Sequence, residues 1–308
     1  MKKYLRYILI IVLIAVIFVP TLMLLTACDD TYVYEGVHYT IHKGYDSYAE
    51  VNYFIAEYSD RIVCEVPSEV EYEGKIYPVT VVTPYQPFMS MPYNFVDGGY
   101  AVEIILPQTV TRFDYLEYTD TYTQFQYLEA ITVHPDNEVY SSIDGVMYNA
   151  EGTELLLYPT GKQAETFTVP QNMLTFSPTS KFWLNKYIKY VAVDSDNVYY
   201  KAEDNVLYSY DGSELVYRVP NDVNYFAIPS TVSVIAPSAL PNLRYLYVPK
   251  SVVLFLDSFV DADQPVTRIR NIYFEADTLP NYFTQNHFYG STYLSTTLEE
   301  FEAAVKQK

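Results

Sequence analysis

The side chains able to do chemistry in this chain are few and scattered. Its four histidines are His38, His42, His134 and His287. Only His38 and His42 stand close together, in a stretch that reads as a strand, so their spacing of four is not a helical ligand pair and no metal site is expected. There is no His-Glu-x-x-His and no Gly-x-Ser-x-Gly. Gly74-Lys75 lacks the preceding glycine of a phosphate loop, because position 69 is Glu69. Asp194, Asp196 and Asn197 suggest calcium, but no Gly and distal Glu follow at calcium-loop spacing, and such residues favour turns through side-chain-to-backbone bonds. A glycosidase pair of carboxylates need not be close in sequence, and the 38 acidic residues leave that chemistry open without singling out a pair. No cofactor is expected.

Charge narrows the partners. The 308-residue chain has a formal net charge of −19, which disfavours nucleic acid and a basic patch on anionic lipid. Half of its residues are hydrophobic, which excludes a mostly disordered chain. Of its residues 35 are Tyr, whose apolar body and polar tip suit a wet binding surface.

Cys28 and Cys64 are the two cysteines, so a disulfide framework is absent. Cys64 reads as a small buried hydrophobe in a strand. Cys28 closes a targeting segment. Met1-Lys2-Lys3-Tyr4-Leu5-Arg6 is basic, residues 8–27 are uncharged, and Pro20 interrupts the run as a helix. The run is also long enough to span a bilayer as a retained anchor. Leu25-Thr26-Ala27-Cys28 resembles a bacterial lipobox, which implies cleavage before Cys28 and acylation of its thiol. Under either reading the rest of the chain lies outside the cytoplasm, anchored to the membrane at the cell surface.

The elements that follow are short. Residues 31–60 alternate apolar and polar positions and predict a β-hairpin. Two tandem copies of one pattern, 20 residues apart, fill residues 226–260: Phe226-Ala227-Ile228-Pro229 and Leu246-Tyr247-Val248-Pro249. A fixed short period marks stacked repeats. Its apolar triplet recurs at Ala101/Ile104/Leu106, Leu128/Ile131/Val133, Ala164/Phe167/Val169, Ile188/Val191/Val193, Val223/Phe226/Ile228, Leu243/Leu246/Val248 and Ile269/Ile272/Phe274. Several copies end in apolar-Pro, which terminates a strand and turns the chain. A longer repeat of about 60 residues aligns Ser142-Ile143-Asp144-Gly145-Val146 with Ala202-Glu203-Asp204-Asn205-Val206 and adds a hairpin to a rung. Near the carboxyl end, Thr297-Leu298-Glu299-Glu300 forms a capping box ahead of an apolar stripe Leu298/Phe301/Val305. A short helix that caps the last rung is expected.

The rung pattern, the inserted hairpin and the segment Glu73-Gly74-Lys75-Ile76-Tyr77-Pro78 resemble BspA-type leucine-rich-repeat proteins of bacterial surfaces. The resemblance covers roughly residues 60–277. It implies a mainly β leucine-rich-repeat solenoid with short parallel rungs, inserted β-hairpins and a short C-terminal helix. It also implies adhesion or protein binding at the surface, and no catalytic residues. The usual Ala-Phe after each turn survives only as Ala239-Leu240 and Phe259-Val260. The expected organisation is a signal peptide at 1–27, a lipidated N-terminus with hairpin at 28–60, the solenoid at 61–277 and a cap at 278–308.

If Leu246 and Val248 point inward, Tyr245 and Tyr247 point outward, and the same parity exposes Tyr190, Tyr225 and Tyr273. Stacking would turn these into an aromatic ladder, which either binds a surface protein or glycan or stabilises the sheet through cross-rung pairs. The expected function is non-covalent binding at the cell surface. A carbohydrate-active enzyme on a β-solenoid and a structural envelope protein are the other classes these residues allow.

Overall fold

The computed structural model describes residues 29–57, 60–83, 96–97, 100–114, 127–177, 180, 182, 185–221, 223–236, 239–240, 243–255, 269, 271–275 and 292–306. They fall into two compact units, Met1–Gly145 and Val146–Lys308. Described strands are short and numerous, and the described helix with the capping box spans Leu298–Lys306.

In the first unit the expected hairpin forms between Val37–His42 and Tyr48–Ile55. It is wider than the periodicity indicates. Asp30–Tyr34 pairs antiparallel on one side, and Lys75–Val82 pairs parallel on the other, followed by Glu69–Tyr72. The sheet therefore runs straight across residue 60, and the units divide at Gly145/Val146 rather than at 60/61. Two-residue turns at Glu35-Gly36 and Glu73-Gly74 have positive φ at both positions, the handedness that matches twisted antiparallel strands. The sheet curls enough for its first and last strands to meet: Tyr32 and Tyr72 have ring centroids 5.0 Å apart, and the Tyr72 hydroxyl donates to Asp30 at 3.1 Å. Tyr39, Ile41, Ala49, Val51 and Val79 are buried along this sheet.

The rungs follow the expected logic. A rung sends one strand into a parallel ladder and a second short strand into another, and several rungs turn between the two at apolar-Pro. In the first unit Arg61–Glu65, Tyr100–Leu106 and Ala130–Val133 are parallel neighbours, and Cys64, Ile104 and Ile131 stack in register, all fully buried. After Leu106-Pro107 the chain reaches Arg112–Phe113, which joins Lys75–Val82. In the second unit Thr166–Val169 pairs with Tyr190–Val193, and Tyr225–Ala227, Tyr245–Val248 and Asn271–Phe274 form another parallel ladder. The second strands, Glu214–Arg218, Val234–Ile235 and Leu254–Phe255, form their own. At the corners the carbonyls of Pro170, Pro229 and Pro249 accept from the amides of Met173, Val232 and Val252 at 3.1, 3.0 and 3.2 Å. Proline thus closes a tight turn with its carbonyl while withholding a ladder donor.

The inward parity holds at Ile104/Leu106, Ile131/Val133, Phe167/Val169, Leu246/Val248 and Ile272/Phe274, all buried. Val223, the first apolar position of its triplet and three residues before Phe226, lies outside that two-residue parity. It is exposed, because Arg218 and Asn221 hold this loop outside the ladder: Arg218 Nη2 donates to the Val223 carbonyl at 3.0 Å, and Asn221 Oδ1 accepts its amide at 3.0 Å. The inserted hairpins pair Val146–Asn149 with Glu154–Leu157 and Val206–Ser209 with Glu214–Arg218. One rung strand lies beyond the expected solenoid limit of residue 277: Thr292–Ser295 pairs parallel with Asn271–Phe274.

Candidate functional site

The tyrosine ladder forms in register. Tyr225, Tyr245 and Asn271 are consecutive partners, as are Ala227, Tyr247 and Tyr273. Their side chains oppose Leu246 and Val248, as the alternation requires. Tyr245, Tyr247 and Tyr273 are closed off from solvent. The helix Leu298–Lys306 lies on them and inserts Phe301, 0 % exposed, and Val305. The Phe301 ring centroid stands 6.4, 5.6 and 5.0 Å from those of Tyr225, Tyr247 and Tyr273. Tyr245, Tyr247 and Tyr273 are 3, 3 and 8 % exposed, and Tyr225 is half-buried. Burial, with Glu275 beside it, raises the Tyr247 phenol. The expected contact surface is therefore a second, small core. Parity sets which way a side chain leaves a strand, and whether another element covers that face is a tertiary matter.

The same geometry corrects the role of the helix. Its capping box forms as expected, with the Thr297 amide donating to Glu300 Oε2 at 3.1 Å and the Glu300 amide to Thr297 Oγ1 at 3.3 Å. It covers the face of the ladder, whereas Thr292–Ser295 takes the place next to the last expected rung.

Tyr190 differs from the other four. It sits in the sheet Thr166–Val169/Tyr190–Val193, outside the ladder of Tyr225, Tyr245 and Tyr273, and is 52 % exposed. Its register partner is Thr166, and a Lys189–Glu165 ion pair stands beside it. In the second unit two further exposed tyrosines among the described residues escaped the sequence reading. Tyr199 and Tyr210, 49 and 64 % exposed, are neighbours at the open end of the hairpin that pairs Tyr200–Glu203 with Val206–Ser209, where the Tyr210 amide donates to the Tyr199 carbonyl at 2.8 Å. Val198 beside them is exposed as well. They lie just outside the rung strands, so the rung alternation passes them by.

Of the calcium candidates, Asn197 and Asp194 are engaged by the backbone. Asn197 Nδ2 donates to the carbonyls of Pro170 and Met173 at 2.7 and 3.1 Å, and its Oδ1 accepts from the amides of Tyr199 and Tyr200 at 2.9 and 3.0 Å. Asp194 Oδ1 accepts from the Asp196 amide at 2.9 Å. Asn137 repeats the bracket in the first unit, from the carbonyls of Pro107 and Val110 to the amides of Val139 and Tyr140. Asn185 does the same for Pro159, Thr160 and Lys162. Each buried amide fastens one proline corner to the next segment. The signal for Asn137 and Asn197 was their shared place in the 60-residue repeat.

His38 and His42 lie on one face of their strand and point to different partners. His42 stands between Asp29 (Nδ1–Oδ1, 3.0 Å) and Glu50 (Nε2–Oε2, 2.9 Å), with its ring stacked on Tyr48 at 4.4 Å. His38 Nδ1 and the Thr40 hydroxyl both donate to Asn52 Oδ1, at 3.1 and 2.9 Å. Among the described residues no cluster of three or more His, Cys, Asp or Glu is arranged to hold a metal ion. Cys64 is fully buried, and burial pushes its thiol up to about 12. Arg218 is a buried cation that donates to Asn221 Oδ1 at 2.7 Å and lies over Phe226. Cys28 and the apolar run before it lie outside the described residues; among those described, no helix is long and apolar enough to cross a membrane.

No protein-family model matches the chain, and no curated protein matches it. Solved structures are similar to it. A leucine-rich cell surface protein from Faecalibacterium prausnitzii shares 14 % identity over 90 % of this chain and 97 % of its own, with a TM-score of 0.35. A leucine-rich repeat protein from Bacteroides ovatus shares 10 % over 86 % and 78 %, with a TM-score of 0.35. The pneumococcal vaccine antigen PcpA shares 12 % over 92 % and 96 %, with a TM-score of 0.34. The chain's own parallel ladders, proline corners and inserted hairpins make it a mainly β protein built of short stacked rungs.

Proposed function

We propose that this protein is exported, stays anchored through its N-terminal segment, and binds a protein or glycan at the cell surface without chemical conversion. The observation that carries the binding reading is the exposed aromatic group of the second unit, Tyr199 and Tyr210 with Val198. Tyrosine offers large contact area at low conformational cost, and an exposed apolar group rimmed by polar residues suits a partner. Tyr190 is a separate exposed ring on the outer face of a rung sheet. The export reading rests on the basic start, the uncharged run at 8–27 and the lipobox-like Leu25-Thr26-Ala27-Cys28, with acylation of Cys28 as the anchor.

The test is a glycan and surface-protein array probed with residues 29–308, followed by the double variant Tyr199→Ser/Tyr210→Ser. Saturable binding that falls at least tenfold in the variant, with an unchanged melting temperature, is the expected result. Undiminished binding by the folded variant refutes the assignment to these tyrosines. Absence of any saturable ligand favours a purely structural envelope role.

A further inference from the structure

The anchor and the fold are almost contiguous, and this restricts where the membrane can be. Asp29 is engaged by His42 at 3.0 Å, and the first strand begins at Asp30, paired with Ile41. Cys28, where the lipobox-like motif ends, is therefore one residue from a fixed side chain and two from a sheet. Two residues of chain span at most about 7 Å. No linker separates the anchor from the sheet, whether the anchor is acyl chains on Cys28 or a retained apolar helix.

The register shows what shares that end of the sheet. His42 pairs with Tyr48, so the loop of residues 43–47 projects beside Asp29 and Asp30. The Glu73-Gly74 turn is there too: Lys43 bridges Asp30 and Glu73, and Lys75 Nζ donates to Ser47 Oγ at 2.7 Å. Tyr45 stands at the tip of the loop and is 102 % exposed. Lys43 and Lys75 each sit over a ring, Tyr72 and Tyr77, at 5.1 and 4.7 Å from the centroid. Tyrosine and lysine together at one tip suit the headgroup layer, where amphipathic rings and snorkelling amines reside. That layer is roughly 5–8 Å deep on each side of the hydrocarbon, comparable to the reach from Asp30 to the anchor. The tip also carries Asp29, Asp30, Asp46 and Glu73, so its attraction is not to anionic lipid in particular.

We infer that the Lys43–Ser47 loop, with Tyr45 at its apex and the Glu73-Gly74 turn beside it, is a foot that rests in the lipid headgroup layer and holds the first sheet upright on the membrane. The inference rests on the anchored reading of the N-terminal segment. Ile55, exposed at the other end of the same strand as Tyr48, lies about 23 Å away along it, at about 3.3 Å per residue. The two positions are a near and a far reporter; Cys64 is buried, and Cys28 is blocked by acylation or, if the apolar segment is retained, replaced by Ser, so each variant carries a single reactive thiol.

Full-length Tyr45→Cys and Ile55→Cys proteins, purified from membranes with their anchor, are labelled with an environment-sensitive fluorophore. They are reconstituted in phosphatidylcholine vesicles containing a nitroxide-headgroup lipid. Mass spectrometry of the N-terminus records the anchor. Quenching several-fold stronger at 45 than at 55 is expected, with little change when phosphatidylglycerol is added. An anchored protein quenched equally at both positions, or not at all at 45, overturns the foot while leaving the anchor intact. A mature chain with neither acylated Cys28 nor a retained apolar segment overturns both.

Discussion

At the scale of single residues, buried side-chain amides hold the rungs together. Asn197 makes four hydrogen bonds to backbone atoms from a buried position. Replacing it with alanine strands buried carbonyls and amides, each an unmet desolvation. We expect Asn197→Ala to destabilise by about 3 kcal/mol, read by urea unfolding. Gly145 carries a different demand. Its φ is +73°, and an added Cβ would stand 2.8 Å from the Ala130 Cβ. Gly152 has φ +68° with open space around it. Gly145→Ala is therefore expected to destabilise by about 3 kcal/mol, and Gly152→Ala by about 1 kcal/mol, from the backbone alone. Equal effects in the same assay would show that Ala130 moves aside freely.

At the scale of elements, the decisive pairing is the terminal helix on the tyrosine ladder. Nine residues make a helix too short to persist alone in water, so its stability comes from the face it covers. Phe301→Ala removes the ring at the centre of that contact and should destabilise by about 3–4 kcal/mol, with loss of near-ultraviolet tyrosine ellipticity. Substituting Tyr245, Tyr247 and Tyr273 by Ser should unfold this part of the chain. A triple variant that keeps its melting temperature would restore the ladder as an exposed binding face. The distinction was out of reach of alternation. The pattern at 225–248 and the stripe Phe301/Val305 are each readable, but nothing local joins segments more than 50 residues apart in sequence.

At the scale of the whole molecule, the described residues enclose many phenols and the Cys64 thiol. Burial pushes Cys64 from 9.0 to about 12, and Tyr39, Tyr158, Tyr200 and Tyr208 from 10.0 to about 12. These acids are neutral when protonated, so raised values mean the fold holds the proton more tightly than the unfolded chain does. Their contribution is fully present below about pH 9 and is lost as pH rises from there through about 12. Melting temperature should fall steeply above pH 9, and part of the tyrosinate absorbance should appear only as the chain unfolds. A smooth, single tyrosine titration of folded protein near pH 10 would contradict this burial.

Much of the architecture was legible in order along the chain because its causes are local. Alternation, proline at strand ends, paired turn residues and the capping box act over a few residues, so rungs, inserted hairpins and the terminal helix could be read directly. Lys2, Lys3, the uncharged run and Cys28 likewise bear on membrane targeting without reference to any fold. Only the tertiary structure decided which faces are wet. It buried Tyr245, Tyr247 and Tyr273 under Phe301, left Tyr199 and Tyr210 exposed, extended the first sheet across residue 60, and set Tyr45 beside the start of the fold. Burial depends on what arrives from elsewhere in the chain, and that is a property of packing between distant segments rather than of any stretch read alone.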